Sequence, residues 1–173
     1  MAAHASAFKH LPSRTVGRRA PNLAGAIYGT LVAIAVVAGL GESASVSTAR
    51  AFWILVASGV FFWAAHVYAY LLSDRIRGHV PTTRAEVQRI VFREWPLFQS
   101  TFPPAVPLAL GWFGLIDGDA ALVLATIVGV ATLAAWGVSF SRREGYGLTG
   151  IIASASINAA VGLLIVGLKV AVP

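Results

Sequence analysis

The sequence contains no cysteine and few charged residues. Only 12% of its 173 residues are charged, whereas a soluble domain carries roughly 25%. The absence of cysteine excludes disulfides, thiolate catalysis and cysteine-ligated metals. Because 57% of the residues are hydrophobic and the mean hydropathy is positive, the composition excludes an ordinary soluble domain and predicts an integral membrane protein.

Familiar catalytic motifs are also absent. The chain has no Gly-x-Ser-x-Gly sequence, no His-x-x-x-His or His-Glu-x-x-His pair and no P-loop. We therefore expect a protein that is not an enzyme and that uses no metal and no cofactor. The net charge of +6 would suggest a nucleic-acid partner for a soluble protein, but in a membrane protein it reports topology, and we expect no nucleic acid.

Five apolar segments are long enough to cross a membrane as helices. They cover Asn22–Leu40, Ala51–Leu72, Leu97–Ile116, Ala120–Phe140 and Leu148–Val172. Little chain remains outside them, so the fold class is predicted to be all-α: one polytopic bundle of about five transmembrane helices over residues 1–173, preceded by a basic tail at 1–21.

Prolines and acidic residues mark the ends of the third segment. Pro103, Pro104 and Pro107 fall in its first half and predict a kink or an irregular start. Asp117-Gly118-Asp119 predicts a tight turn, so the third and fourth helices should form a hairpin.

The basic residues are distributed unevenly along the chain. All but Arg50 and Lys169 lie in the N-terminal tail, in the connection over 73–95 or in the loop after Ser141. The positive-inside rule places these three regions in the cytoplasm, so the N-terminus is predicted to be cytoplasmic and the C-terminus extracytoplasmic. A composition rich in Ala, Gly, Val and Arg favours the plasma membrane of a bacterium.

The basic connection is expected to contain a short helix over 83–95. Thr83 and Glu86 have the spacing of a capping box. The apolar face of this helix would carry Val87, Ile90, Val91 and Trp95. Its other faces would carry mainly Arg84, Arg89 and Arg93. This pattern is typical of a helix in the membrane interface that contacts anionic lipid head groups, although a helix that covers its own bundle would look the same.

Ionisable and polar residues follow one face of the second segment. Ser58, His66, Tyr70 and Asp74 are separated by eight, four and four residues, which places them on one helical face. His66 would lie about 9 Å inside the cytoplasmic end. Embedded ionisable groups often mark proton or ion pathways. The alternative is a neutral His66 bonded to a neighbouring helix, with Tyr70 and Asp74 marking the interface.

The fifth segment carries a second polar stripe. Ser154 and Asn158 lie on one face, with Asn158 near the middle of the membrane. The amide of Asn158 needs hydrogen-bond partners. It either lines the same pathway or joins two helices, which is the commoner role of such residues.

Small residues predict close helix packing. Gly25 and Gly29 form a GxxxG pattern, and Gly162 adds a small residue in the fifth segment. Contacts within one chain and contacts between chains have the same sequence pattern. We therefore also expect the protein to self-associate.

Three functions fit these observations. The first is a homo-oligomeric ion channel or proton pathway, because five helices are too few to surround a wide pore alone. The second is a non-catalytic scaffold or assembly subunit of a larger membrane complex. The third is a binder of a lipid or another apolar ligand, suggested by the aromatic residues.

Overall fold

The computed structural model describes residues 22–41, 46–76, 78 and 83–171, and the secondary structure in that part of the chain is entirely helical. The helices are α1 (Leu23–Leu40), α2 (Thr48–Ile76), α3 (Arg84–Gln99), α4 (Phe102–Trp112), α5 (Gly118–Arg143) and α6 (Leu148–Ala171). The predicted all-α bundle is therefore confirmed. The predicted basic tail at 1–21 and the side chain of Lys169 lie outside the described residues.

Four of these helices are long and apolar enough to cross a membrane. They are α1, α2, α5 and the part of α6 over Leu148–Leu168. Large apolar side chains such as Phe61, Ile127 and Leu164 are exposed on them. Surfaces of this kind are stable in lipid rather than in water, so the structure has the helices of a membrane protein.

The segment predicted as the third span, Leu97–Ile116, is divided into two helices. Its first residues complete α3, the helix is interrupted at Ser100 and Thr101, and the 11-residue α4 follows. We call this interruption the break. Pro103 and Pro104 have no amide hydrogen to donate to the carbonyls one turn earlier, which ends the helical hydrogen-bond pattern there. The first residues of a helix have no intrahelical acceptor for their amides, so prolines, which lack an N–H, fit in the first turn of α4.

Two hydroxyls stabilise the break between α3 and α4. Ser100 Oγ donates to the carbonyl oxygen of Leu97 at 2.7 Å, and Thr101 Oγ1 donates to that of Phe98 at 2.8 Å. The carbonyls at the break are thereby bonded inside the bundle.

The broken segment runs antiparallel to α2. Near one end the rings of Trp63 and Trp95 are 5.7 Å apart, and near the other end Thr48 lies beside Gly111. α3 and α4 together therefore extend along most of α2. After α4, Asp117 caps α5 by accepting hydrogen bonds from the amides of Asp119 and Ala120, and α4 packs against α5 as the predicted hairpin.

Helix α1 lies at the centre of the bundle, where it packs against α2, α3, α5 and α6. At its C-terminal half an apolar core is formed by Ala33, Val37, Ala51, Leu55, Ala105, Leu108 and Ala125. At its N-terminal half the buried neighbours include polar residues, among them Glu94 and Ser100. The bundle thus has an apolar half and a half with a polar interior.

The small residues of α1 are used within this chain. A Cβ atom added at Gly29 would overlap the carbonyl oxygen of Leu97 and Oγ of Ser100, so α1 meets the break in direct backbone contact. Gly25 is also buried but faces the side chain of Asn22. Gly162 of α6 lies close to the side chains of α5 and of Ile34.

Gly29→Ala should lower the free energy of unfolding by about 1–3 kcal/mol, the usual effect of overpacking a tight contact. A suitable measurement is SDS-induced unfolding in mild detergent. Gly167→Ala is the matched control, because Gly167 also lies within a helix but has open space around its Cα. Equal stability of the two variants would show that the backbone contact at Gly29 is not needed.

Cysteine labelling should test the topology directly, since the native chain has no cysteine. Cysteines introduced at Arg84 and Glu144 should react from one side of the membrane, and those at Ser47 and Asp119 from the other. All four positions are exposed. Labelling of Arg84 and Asp119 from the same side would exclude a membrane crossing by α3 and α4.

Candidate functional site

Three of the predicted pathway residues line one pocket. Helix α2 continues beyond its predicted end at Leu72 as far as Ile76, which keeps Asp74 on the helical face of His66 and Tyr70. These three side chains, with Ala69, Ser73 and Arg93, surround a half-open cavity of about 400 Å³. We call it the α2–α3 pocket.

Arg93 is the residue that α3 contributes to the pocket. Its guanidinium carbon lies 4.1 Å from the centre of the Tyr70 ring, in a cation–π contact. Its Nε donates to Glu94 Oε1 at 2.9 Å. These two contacts orient the guanidinium and leave its two terminal nitrogens without another bond inside the described part of the chain.

Behind Arg93 lies the buried carboxylate of Glu94, with only 1% of the residue exposed. Its second oxygen, Oε2, accepts a hydrogen bond of 2.8 Å from Asn22 Nδ2 at the start of α1. Asn22 also accepts from the amide of Gly25 and so caps α1. Both carboxylate oxygens therefore have a donor, as a buried charge requires.

The sequence reasoning missed Glu94 as a site residue. Its position nevertheless contained a signal, because Glu94 follows Val87, Ile90 and Val91 by seven, four and three residues. Those intervals place an acid on the apolar face of α3. An acid on the buried face of a helix requires a partner, and only the folded chain shows that the partners are Asn22 and Arg93.

His66 lines the pocket and also contacts α1. Its ring is tilted against that of Tyr28 on α1, with the ring centres 5.2 Å apart, and Tyr28 also contacts Phe62 edge-on. Ser58, two turns away on α2, is half-buried and does not line the pocket.

The polar residues of α6 lie elsewhere. Ser154 Oγ donates to the carbonyl oxygen of Gly137 at 3.1 Å, and Asn158 Nδ2 donates to the carbonyl oxygen of Ser154 at 2.9 Å. The first bond joins α6 to α5, whereas the second stays within α6, and both side chains pack against Gly137, which leaves room for them. Helix α1 packs against both α2 and α6, so it separates Asn158 from His66 within one chain.

The predicted interface residues have different environments. Arg84 and Arg89 are exposed in the first half of α3, whose predicted capping box between Thr83 and Glu86 is present. Trp95 is half-buried and contacts the rings of Trp63 and Phe98. Helix α3 thus has an exposed basic start and an end packed into the bundle.

No known protein family, curated protein or solved structure matches this chain.

Glu94→Leu should lower the free energy of unfolding by about 1–3 kcal/mol, because it leaves the part-buried amide of Asn22 and Nε of Arg93 without their acceptor. Thermal unfolding in detergent measures this effect. Glu144→Leu, at an exposed carboxylate that follows α5, should change stability by less than about 0.5 kcal/mol. A Glu94→Leu variant as stable as the wild type would contradict a structural role for the buried carboxylate.

Proposed function

We propose that this protein binds the head group of a membrane phospholipid in the α2–α3 pocket. The observation that carries the proposal is an oriented arginine, Arg93, in a half-open pocket of head-group size at the polar end of apolar helices. Arginine pairs with phosphate through two parallel hydrogen bonds. The third function expected from the sequence thus becomes the leading one.

The surroundings of the pocket support a lipid rather than a soluble ligand. Exposed apolar side chains lie near it on both helices: Phe92 is next to Arg93 on α3, and Ile76 is two residues after Asp74 on α2. A ligand with acyl chains would cover such surfaces while its head group enters the pocket. The anionic head groups expected as partners from the sequence share the phosphate that Arg93 would bind.

The distribution of charge supports a cytoplasmic position for the pocket. The end that carries it also holds Arg75, Arg84, Arg89, Arg142 and Arg143, whereas the opposite end holds Arg50, Asp117 and Asp119. By the positive-inside rule, the first end faces the cytoplasm. We propose this orientation, in the plasma membrane of a bacterium.

Arg93→Gln should reduce phospholipid binding about tenfold, since it removes a charge-assisted pair. Native mass spectrometry of the protein, titrated with phospholipid in mild detergent, measures the bound fraction. Arg89→Gln is the matched control: it removes the same charge from the same helix but outside the pocket.

Arg93→Lys distinguishes a loss of lipid binding from a folding defect. It keeps a cation beside Glu94 but removes the planar guanidinium that can form two parallel hydrogen bonds to phosphate. We expect it to remain folded and to bind lipid more weakly than the wild type. Equal lipid binding by the Arg93→Gln and Arg89→Gln proteins would refute the pocket as the lipid site.

An ion or proton pathway, through a homo-oligomer, is the second candidate. The observation that favours it is the polar interior beside the pocket, where Glu94, Ser100, Thr101 and Thr30 are all buried. Embedded acids of this kind often take part in proton transfer. This route, past Glu94, differs from the predicted route through His66 and Asn158, because α1 separates those two residues.

Proteoliposomes test the second candidate. Proton or ion flux above protein-free controls, reduced by Glu94→Gln and unaffected by Asn158→Leu, would support this route. If flux and lipid binding are both absent, the scaffold subunit becomes the leading account.

A further inference from the structure

The α2–α3 pocket holds two opposite charges that do not pair with each other. Arg93 and Asp74 both line it, yet the ion pair found for Arg93 within the described ranges is the one with Glu94. Here the pocket keeps a cationic pole on α3 and an anionic pole on α2.

Each pole would repel a ligand that carries only the pole's own sign of charge. A purely anionic head group held at Arg93 would be repelled by the carboxylate of Asp74, and a purely cationic ligand at Asp74 would be repelled by Arg93. A ligand that carries both charges satisfies both poles. Selection of this kind works through repulsion of the wrong ligand as much as through attraction of the right one.

The polar groups around the two poles fit a phosphate and a primary ammonium. The terminal nitrogens of Arg93, which make no hydrogen bond to the described residues, can donate to phosphate oxygens. Asp74 and the hydroxyl of Ser73 accept hydrogen bonds, which suits an ammonium group with three N–H donors. His66 lines the same cavity and offers a further ring nitrogen.

The cationic pole is held in place before any ligand arrives. Glu94 bonds Nε of Arg93, and the Tyr70 ring lies against its guanidinium. A side chain already fixed loses less conformational freedom on binding. We infer that the pocket recognises a zwitterionic phosphate–ammonium group of the phosphoethanolamine type; this inference rests on the proposed function and specifies its ligand.

The test compares phosphatidylethanolamine with phosphatidylglycerol, which has the phosphate but no ammonium. The wild-type protein should bind phosphatidylethanolamine about tenfold more tightly, as measured by native mass spectrometry with each lipid added separately. Asp74→Asn should abolish this preference, because it removes the negative charge that attracts the ammonium and repels the anionic lipid. Asp74 is half-exposed, so its substitution should leave the fold intact.

Glu144→Gln is the matched control, since it removes an exposed carboxylate outside the pocket, and it should keep the lipid preference of the wild type. Soluble glycerophosphoethanolamine forms a further arm of the test. Equal affinity for it and for the lipid would identify a soluble ligand with the same chemistry, and would overturn the choice of a lipid in the proposed function.

The possible failures are distinguishable. If phosphatidylglycerol binds as well as phosphatidylethanolamine, and Arg93→Gln weakens both, the zwitterion inference is wrong while lipid binding at Arg93 stands. If neither lipid binds, the proposed function fails together with the inference. A preference for phosphatidylethanolamine that survives Asp74→Asn would also overturn the inference, because Asp74 would not be the anionic pole.

Discussion

The close approach of α1 to the break between α3 and α4 is the constraint on which the site depends. At Gly29 a hydrogen atom in place of a side chain lets α1 reach the Leu97 carbonyl and Ser100. That contact fixes the position of α1 along α3. In this position Asn22 lies within hydrogen-bond distance of Glu94. Because Glu94 in turn accepts a hydrogen bond from Arg93, the packing at Gly29 is connected through Asn22 and Glu94 to the guanidinium in the pocket.

The break itself is a consequence of proline chemistry in an apolar environment. Unbonded carbonyls are unfavourable inside a membrane bundle, where water does not compensate for them. Ser100 and Thr101 supply hydroxyl donors to the carbonyls of Leu97 and Phe98. The same two residues lie beside Gly29 and Gly59, so the groups that satisfy the break also form the surface against which α1 and α2 pack.

The apolar half of the bundle contributes packing stability, and the half with the polar interior contains the pocket. The apolar core around Leu55 and Leu108 stabilises the half away from the pocket. The other half contains the hydrogen-bonded Glu94 and opens into the α2–α3 pocket. On the far side of α1, Ser154 bonds α6 to α5, and Asn158 packs against Gly137 of α5. Two polar stripes that look alike in sequence therefore have different surroundings: one faces the α2–α3 pocket, and the other packs against α5 and lines a separate, mainly apolar cavity between α5 and α6.

Much of the architecture follows from the sequence by itself. The apolar lengths, the capping box at Thr83 and the acidic turn at Asp117 identify most of the helices and the starts of α3 and α5, because these are local properties of the chain. The spacing of His66, Tyr70 and Asp74 likewise determines that they share a face of α2. Only the tertiary structure decided that Arg93 completes their pocket, that Glu94 is buried against Asn22 and that α1 separates His66 from Asn158. The physical reason is that hydrogen bonds and periodicity within a helix depend on neighbouring residues, whereas a contact between helices depends on how their surfaces fit after the whole bundle has packed.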